Sequence, residues 1–364
     1  MDIFDPAEIS DAFTRGQYER LLRRGISTGD AVHRAYGGKR KTIKMVYVRR
    51  HEFNAFVTSD SEHYYVQMTS GVPVLLIILF NKLFENPILL PDLNTDGVTV
   101  TDVSLPFIVD PAHIDQQKNW QLNLNADRAI AADFFADICM TFVVNHEIGH
   151  ILSGHVEGAR HYDGLRSYAE MTSYRPKSLK ARRRRQAWEV DADLIASTLL
   201  MNYLRELDKH VRTHEHTRNA FFRGDDTFIH LLSSTVAALM AFFSYVRGAR
   251  YQLNLNSSHP HPMVRALYIK DALFHAARRQ WSFDEEKFTT LMDDSLEEML
   301  TALHELGLSD SWRFTEEYFE QVNQSRANTN RLQVEHRESC EPWSWINWFG
   351  KKETSLPEPP DATS

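Results

Sequence analysis

The sequence predicts an α+β fold, mainly helical, with a small antiparallel sheet packed on one central helix and helices continuing to the C-terminal side. Three observations predict it. Apolar residues recur at helical spacing through most of the chain beyond residue 70. Segments suited to strands lie mostly within 43–69. The stretch His146-Glu147-Ile148-Gly149-His150 continues an apolar helical stripe.

Residues 1 to about 40 read as short polar helices closed by a Gly37-Gly38 linker. Strand character runs from Ile43 to Val48, from His51 to Thr58 and, after the polar turn Ser59-Asp60-Ser61, from His63 to Thr69. The edge of such a hairpin offers backbone groups to an extended peptide, and a plain structural hairpin accounts for the same residues equally well. Gly71 to Phe84 is an apolar helix that Pro87 and Pro91 end. Residues 92–124 hold one further strand candidate, Val98 to Val109, and no assignable chemistry.

Residues 127 to 157 form the central helix, with Asn125 or Asp127 as N-cap and Gly158 as stop. Phe134, Ile138, Phe142, His146 and His150 step by four along it. Residues four apart share a helix face, so His146 and His150 offer two imidazole nitrogens to one metal ion. Glu147 sits beside them, placed to take a proton from a water held there. Three fixed residues also arise by chance, on the order of once in twenty chains of this His content. Weight therefore comes from the surroundings.

A catalytic zinc site uses three protein ligands and leaves a fourth position open. In the variant where a third His follows a glycine turn, this chain has Ser153 for the glycine and Val156 for the His. His155 misses by one residue. On a continuing helix it points roughly 140° away from His150, at ~100° per residue, and reads as a helix-end or rim residue. The favoured third donor is Glu189, on a helix that Ser178 caps and that runs from about Leu179 to Leu207. Glu189 and Asp193 lie one turn apart on one face. That supplies one carboxylate for zinc and a second to accept the N–H of a ligating imidazole. Taken alone, Glu189 also reads as a surface glutamate. Asp191, Glu157, Asp163 and Glu170 stay open as rivals, none with a partner carboxylate at i+4.

Gly158 to Lys177 reads as a loop over the cleft. Lys180-Ala181-Arg182-Arg183-Arg184-Arg185 opposes the dipole of its helix, either as a solvated face or as a dock for an acidic segment. His210, His214 and His216 with Glu215 read as polar surface, and Phe228 to Tyr245 as a core helix. His259 precedes a proline and so sits in a loop, with a structural role and a charge-stabilising role both open, the latter open to Tyr251 as well. Phe283 to Leu308 is an amphipathic helix whose His304-Glu305-Leu306-Gly307 imitates the motif, with Leu308 where a second His belongs. Helical character resumes from Trp312 to Asn323. Trp343, Trp345 and Trp348 precede Lys351-Lys352; packing back on the body is favoured over weak contact with a membrane interface. Residues 354–364 have a composition suited to disorder.

Four collinear features resemble the zinc metallopeptidases that include the HtpX heat-shock protease and the CAAX prenyl proteases. They are H-E-x-x-H-x-x-x-x-H at His146 to His155, E-x-x-A-D at Glu189 to Asp193, and Asn54-Ala55-Phe56-Val57 with Val66-Gln67-Met68-Thr69-Ser70-Gly71. The last is Ser258-His259-Pro260-His261-Pro262-Met263-Val264-Arg265. They cover roughly residues 42 to 270. The resemblance implies a zincin-like core of the gluzincin type. In it His146, His150 and Glu189 bind one Zn²⁺, Glu147 is the general base, and Asp193 supports a ligand. It also implies that His259 sits near the substrate carbonyl and that the strand around Asn54, Ala55 and Phe56 pairs with substrate. The chain departs from the membrane members in lacking their transmembrane helices, in about fifty residues between apolar and central helices, and in the insert from Gly158 to Ser178. Their prenyl-protein and membrane substrates are therefore not carried over.

The length of 364 residues allows two domains or one enlarged one. The segments expected are 1–40 helical, 41–275 catalytic, 276–340 a helical extension, and 341–364 a Trp-rich tail. Composition is that of an ordinary soluble protein, 43% hydrophobic and 25% charged. A net charge of −8 argues against general nucleic-acid affinity. Cys139 and Cys340, far apart, fit a reducing compartment. Met1-Asp2-Ile3-Phe4-Asp5 lacks a basic-then-apolar pattern, so a cytoplasmic location is expected. The function these readings imply is hydrolysis of a protein or peptide substrate. Two alternatives stand beside it: a triggered protease with one substrate, as in a stress or phage-defence system, and a binding protein in which zinc is structural.

Overall fold

The computed structural model describes residues 1–38, 40–91, 93–101, 104–112, 124–164, 167–169, 178–213, 227–247, 258–280, 284–308 and 315–346. Its architecture is mainly helical with a small mixed sheet. The helices are α1 (Ala12–Val32), α2 (Gly71–Phe84), α3 (Ala126–Leu152), α4 (His155–Asp163), α5 (Leu179–Thr213), α6 (Thr227–Arg247), α7 (Pro262–Gln280), α8 (Glu285–Glu305) and α9 (Glu316–His336). The strands are β1 (Thr42–Val48), β2 (Ala55–Ser59), β3 (His63–Thr69) and β4 (Ser167–Ala169).

The sheet runs in the order β1-β3-β2-β4. Strands β2 and β3 form the expected hairpin, with Ala55 opposite Met68, but β1 lies parallel to β3, with Ile43 opposite Tyr64. The sheet is therefore mixed, not antiparallel throughout. Ile43, Met45 and Tyr47 on β1, Ala55 and Val57 on β2, and Tyr64, Val66 and Met68 on β3 are buried at alternate positions. That period of two turns one face of the sheet toward α1 and α3. A parallel β1 keeps its apolar set on this face while the chain crosses to β2 on the far side of β3. The strand expected over Val98 to Val109 reduces, among the described residues, to a single bridge between Ile108 and Glu52.

Helix α3 is the axis of the core, packed by α1, α2, α5 and α6. Asn125 caps it, its side chain accepting from the Arg128 amide at 3.0 Å. The helix does not run to Gly158. It stops at Leu152, and Gly154 takes a left-handed conformation (φ 75°) that starts α4 in a new direction. Part of the stretch expected as a loop is thus helical. Gly158 sits inside α4, where an added Cβ would lie 2.5 Å from the Cys340 sulfur. The C-terminal side returns to this corner. Trp345 N–H and Ser344 Oγ donate to the Leu152 carbonyl at 2.7 and 3.0 Å. The Trp345 ring is buried beside Tyr64 and His33. Trp348, Tyr251, His214, His216, Glu215, Glu170 and residues 354–364 lie outside the described residues.

Helices α3 and α6 are long and apolar enough, by length and composition, to cross a membrane; 78% and 89% of their most apolar windows are buried in the protein. Both cysteines are free and buried, and burial pushes each thiol up.

Helix α5 is capped by Ser178, whose hydroxyl accepts from the Ala181 amide at 3.1 Å, and extends past Leu207 to Thr213. Its basic run is not a simple solvated face. Arg184 and Arg185 are buried. Arg184 pairs with Asp163 at the end of α4 and stacks over Tyr162 and Trp188. The acidic partner that offsets the unfavourable dipole is in this chain.

Gly149 sets how closely α3 and α5 approach. A Cβ there would lie 2.8 Å from the Ala192 carbonyl oxygen and 3.0 Å from its Cα. Backbone cannot yield as a side-chain tip can, so Gly149→Ala is expected to separate the helices and cost about 1–3 kcal/mol. Urea denaturation measures this; a variant as stable as the parent would mean that the contact is not tight.

Candidate metal centre

The close approach at Gly149 brings the acidic face of α5 against the imidazoles of α3. His146 Nε2 and His150 Nε2 lie 3.0 Å apart. Glu189 completes a triangle, with Oε2 at 3.4 Å from His146 Nε2 and Oε1 at 3.7 Å from His150 Nε2. These three side chains form a buried group able to hold a metal ion. Donors held about 2.0–2.1 Å from a tetrahedral ion keep about 3.3 Å from one another, close to the His146–His150 and His146–Oε2 separations, while Glu189 turns its other oxygen toward His150. Two imidazole nitrogens and one carboxylate oxygen are also the chemistry that a catalytic zinc takes.

Three of the rivals for third donor are engaged elsewhere. Asp191 accepts from Gln333 of α9 at 2.7 Å, Glu157 from the Tyr64 hydroxyl at 2.5 Å, and Asp163 holds Arg184.

A second ring of groups orients the donors. Asp193 Oδ1 lies 2.8 Å from His146 Nδ1, one helical turn beyond Glu189. Arg265 of α7 grips Asp193 with two hydrogen bonds of 2.7 Å, from Nε and Nη2. Burial on its own raises the Asp193 carboxyl, but the Arg265 charge together with the hydrogen bonds from Arg265 and His146 outweighs it and holds the group below its ordinary value. Asp193 is thus an anion that accepts the His146 Nδ1 proton, leaving Nε2 to face the donor triangle. The Arg265 guanidinium also lies 4.0 Å from the Phe243 ring centre, which fixes it from the other side.

His155 does stand at a helix end, as the first residue of α4, but it is not on an exposed rim. The Gly154 turn swings it back under α3, where it is 1% exposed with its Nδ1 2.9 Å from His150 Nδ1. Its ring stacks on Trp188 with centroids 5.0 Å apart and planes 12° from parallel. Burial, assisted by neighbouring His146, pushes both the His150 and His155 imidazoliums well below their ordinary value. Both rings are therefore neutral, as a ligand must be.

Glu147 lies on α3 between the two ligands and is fully buried. His259, in the turn before α7, has Nε2 3.7 Å from Glu189 Oε1 and Nδ1 2.9 Å from Ser258 Oγ. It reaches the same centre from a third element. The outer edge of β2 is paired with β4 at Phe56, Val57 and Thr58, while Asn54 and Ala55 lie beyond that pairing. Asn54 turns its carbonyl inward to the Thr69 amide.

Two residues of the centre carried no role in the sequence reading. Arg265 ends the segment Ser258 to Arg265, and nothing in spacing joins it to Asp193, 72 positions away. His155 was discounted because the helix was continued through Gly154. The signal is Gly154 itself, since a glycine just past the last residues of a helix readily takes the left-handed conformation that ends it. Compared with protein-family profiles, curated proteins and solved structures, the chain gives no match.

Proposed function

We propose that this chain is a zinc-dependent metalloendopeptidase, related in its chemistry to the HtpX and CAAX prenyl proteases and acting on a protein or peptide substrate in the cytoplasm. The observation that carries this reading is the convergence of His146, His150 and Glu189 within 3.0–3.7 Å, with Glu147 beside them on the same helix. Zinc, when bound, acts as a Lewis acid toward a peptide carbonyl and brings the pKa of a water toward neutrality.

The remaining work falls to the chain. His146, held by Asp193, and His150 present Nε2; Glu189 gives one carboxylate oxygen. Glu147 accepts a proton from the attacking water and returns it to the departing amine nitrogen. His259, at the margin of the centre, donates to the carbonyl oxygen as charge gathers on it. Ala55, which precedes the pairing of β2 with β4 among the described residues, suits an extended peptide entering along β2.

Zinc analysis of the purified protein is expected to give about one ion per chain, set by a three-donor site. His150→Ala removes one donor and is expected to lower that content severalfold. Full retention by the variant would remove the site.

One observation favours a second reading, a triggered protease with a single substrate. The donors and Glu147 are each no more than 1% exposed, so a peptide reaches them only after neighbouring segments move. Constitutive cleavage of casein supports the general enzyme. Silence on casein, with cleavage of one cellular protein that depends on Glu147, supports the triggered one.

A further inference from the structure

We propose that His155 is a positioning residue for the metal centre: its Nδ1 accepts the His150 Nδ1 proton and thereby fixes His150 in the tautomer that offers Nε2 to the ion. The inference rests on reading His146, His150 and Glu189 as a metal site. A neutral imidazole carries one proton. His150 turns Nε2 toward His146 and Glu189, so as a ligand it keeps its proton on Nδ1. That nitrogen faces His155 Nδ1 at 2.9 Å. His155 must then hold its own proton on Nε2.

Two features hold His155 to this task. The left-handed Gly154 redirects the chain, without which His155 would face away from His150. The stack on Trp188 then fixes the ring plane, and Trp188 lies immediately before Glu189 on α5. One helix thus supplies the third donor and also the surface that orients the support of the second.

The choice of a histidine, where a carboxylate is the usual support, follows from charge. His146 already leans on Asp193, whose charge Arg265 balances. Glu147 and Glu189 are buried nearby. A carboxylate under His150 would add one more buried anion without a cation to match it. A neutral imidazole accepts the same N–H and adds no charge.

The test compares two variants of the full chain by competition with a chromogenic zinc chelator. His155→Phe keeps a flat ring against Trp188 and removes the acceptor. His155→Asn places an amide oxygen near the position of Nδ1 and gives up most of the stack. Losing a support of this kind typically weakens metal binding about 10–100-fold, which is the loss expected for His155→Phe, while His155→Asn recovers most of the affinity. Thermal unfolding of the zinc-free proteins checks packing separately. Parental affinity in His155→Phe, or an equal loss in both variants, overturns the proposal and leaves the metal site standing. A parent protein that binds no zinc overturns the metal site and this inference together. Zinc binding with the expected pattern, but no peptide cleavage, sinks only the peptidase reading.

Discussion

Glu147→Gln is expected to leave about one zinc per chain in place and to lower peptide hydrolysis by about 10²–10⁴-fold, the usual contribution of a positioned general base. The substitution is nearly isosteric, and its side chain takes no part in the donor triangle of His146, His150 and Glu189. Metal content and fold should therefore persist while the proton acceptor is lost. Zinc analysis beside a peptide-cleavage assay gives both readings from one preparation. Undiminished turnover would move proton transfer to another group. Loss of metal along with activity would make Glu147 a structural support, and the same change with no measurable effect would favour a structural zinc.

The second large effect is expected at Arg265. Arg265 and Asp193 are both at most 2% exposed and share two hydrogen bonds of 2.7 Å. Arg265→Met removes the cation and leaves a buried carboxylate with, among the described residues, His146 to meet it. Breaking a buried pair from one side costs about 3–5 kcal/mol. Urea denaturation should show that loss, with a lower midpoint and an unchanged slope. Adding Asp193→Asn to Arg265→Met removes the stranded charge and is expected to restore part of the stability. If the double variant is no better than Arg265→Met alone, the pair is not coupled as its distances imply.

Much of this centre was legible in the chain. His146 and His150 follow from helical periodicity alone, and Glu189 with Asp193 from the same rule applied to a second helix. The hairpin β2–β3 follows from alternation about a polar turn. What sequence could not carry was the meeting of distant segments. The parallel seating of β1 depends on which side of β3 the chain crosses, and alternation is blind to that. The burial of Arg184 depends on Asp163 and Tyr162 being brought across from α4. The corner at Gly154 is a local event, yet its outcome depends on a tail that arrives from residues 340–346. A Cβ at residue 154 would lie 2.6 Å from the Trp343 carbonyl carbon, so the bend and the tail are fitted to one another.

That fit has a consequence for synthesis. The end of α3 leaves carbonyls with no partner inside the helix, and the one at Leu152 is closed by residues 344 and 345. Translation proceeds from the N-terminal side, so both imidazoles emerge from the ribosome long before the segment that seals their helix. A nascent chain cannot complete this corner until almost two hundred further residues have been added. A polypeptide cut short before residue 344 would keep every metal donor and still carry an unfinished helix beneath them.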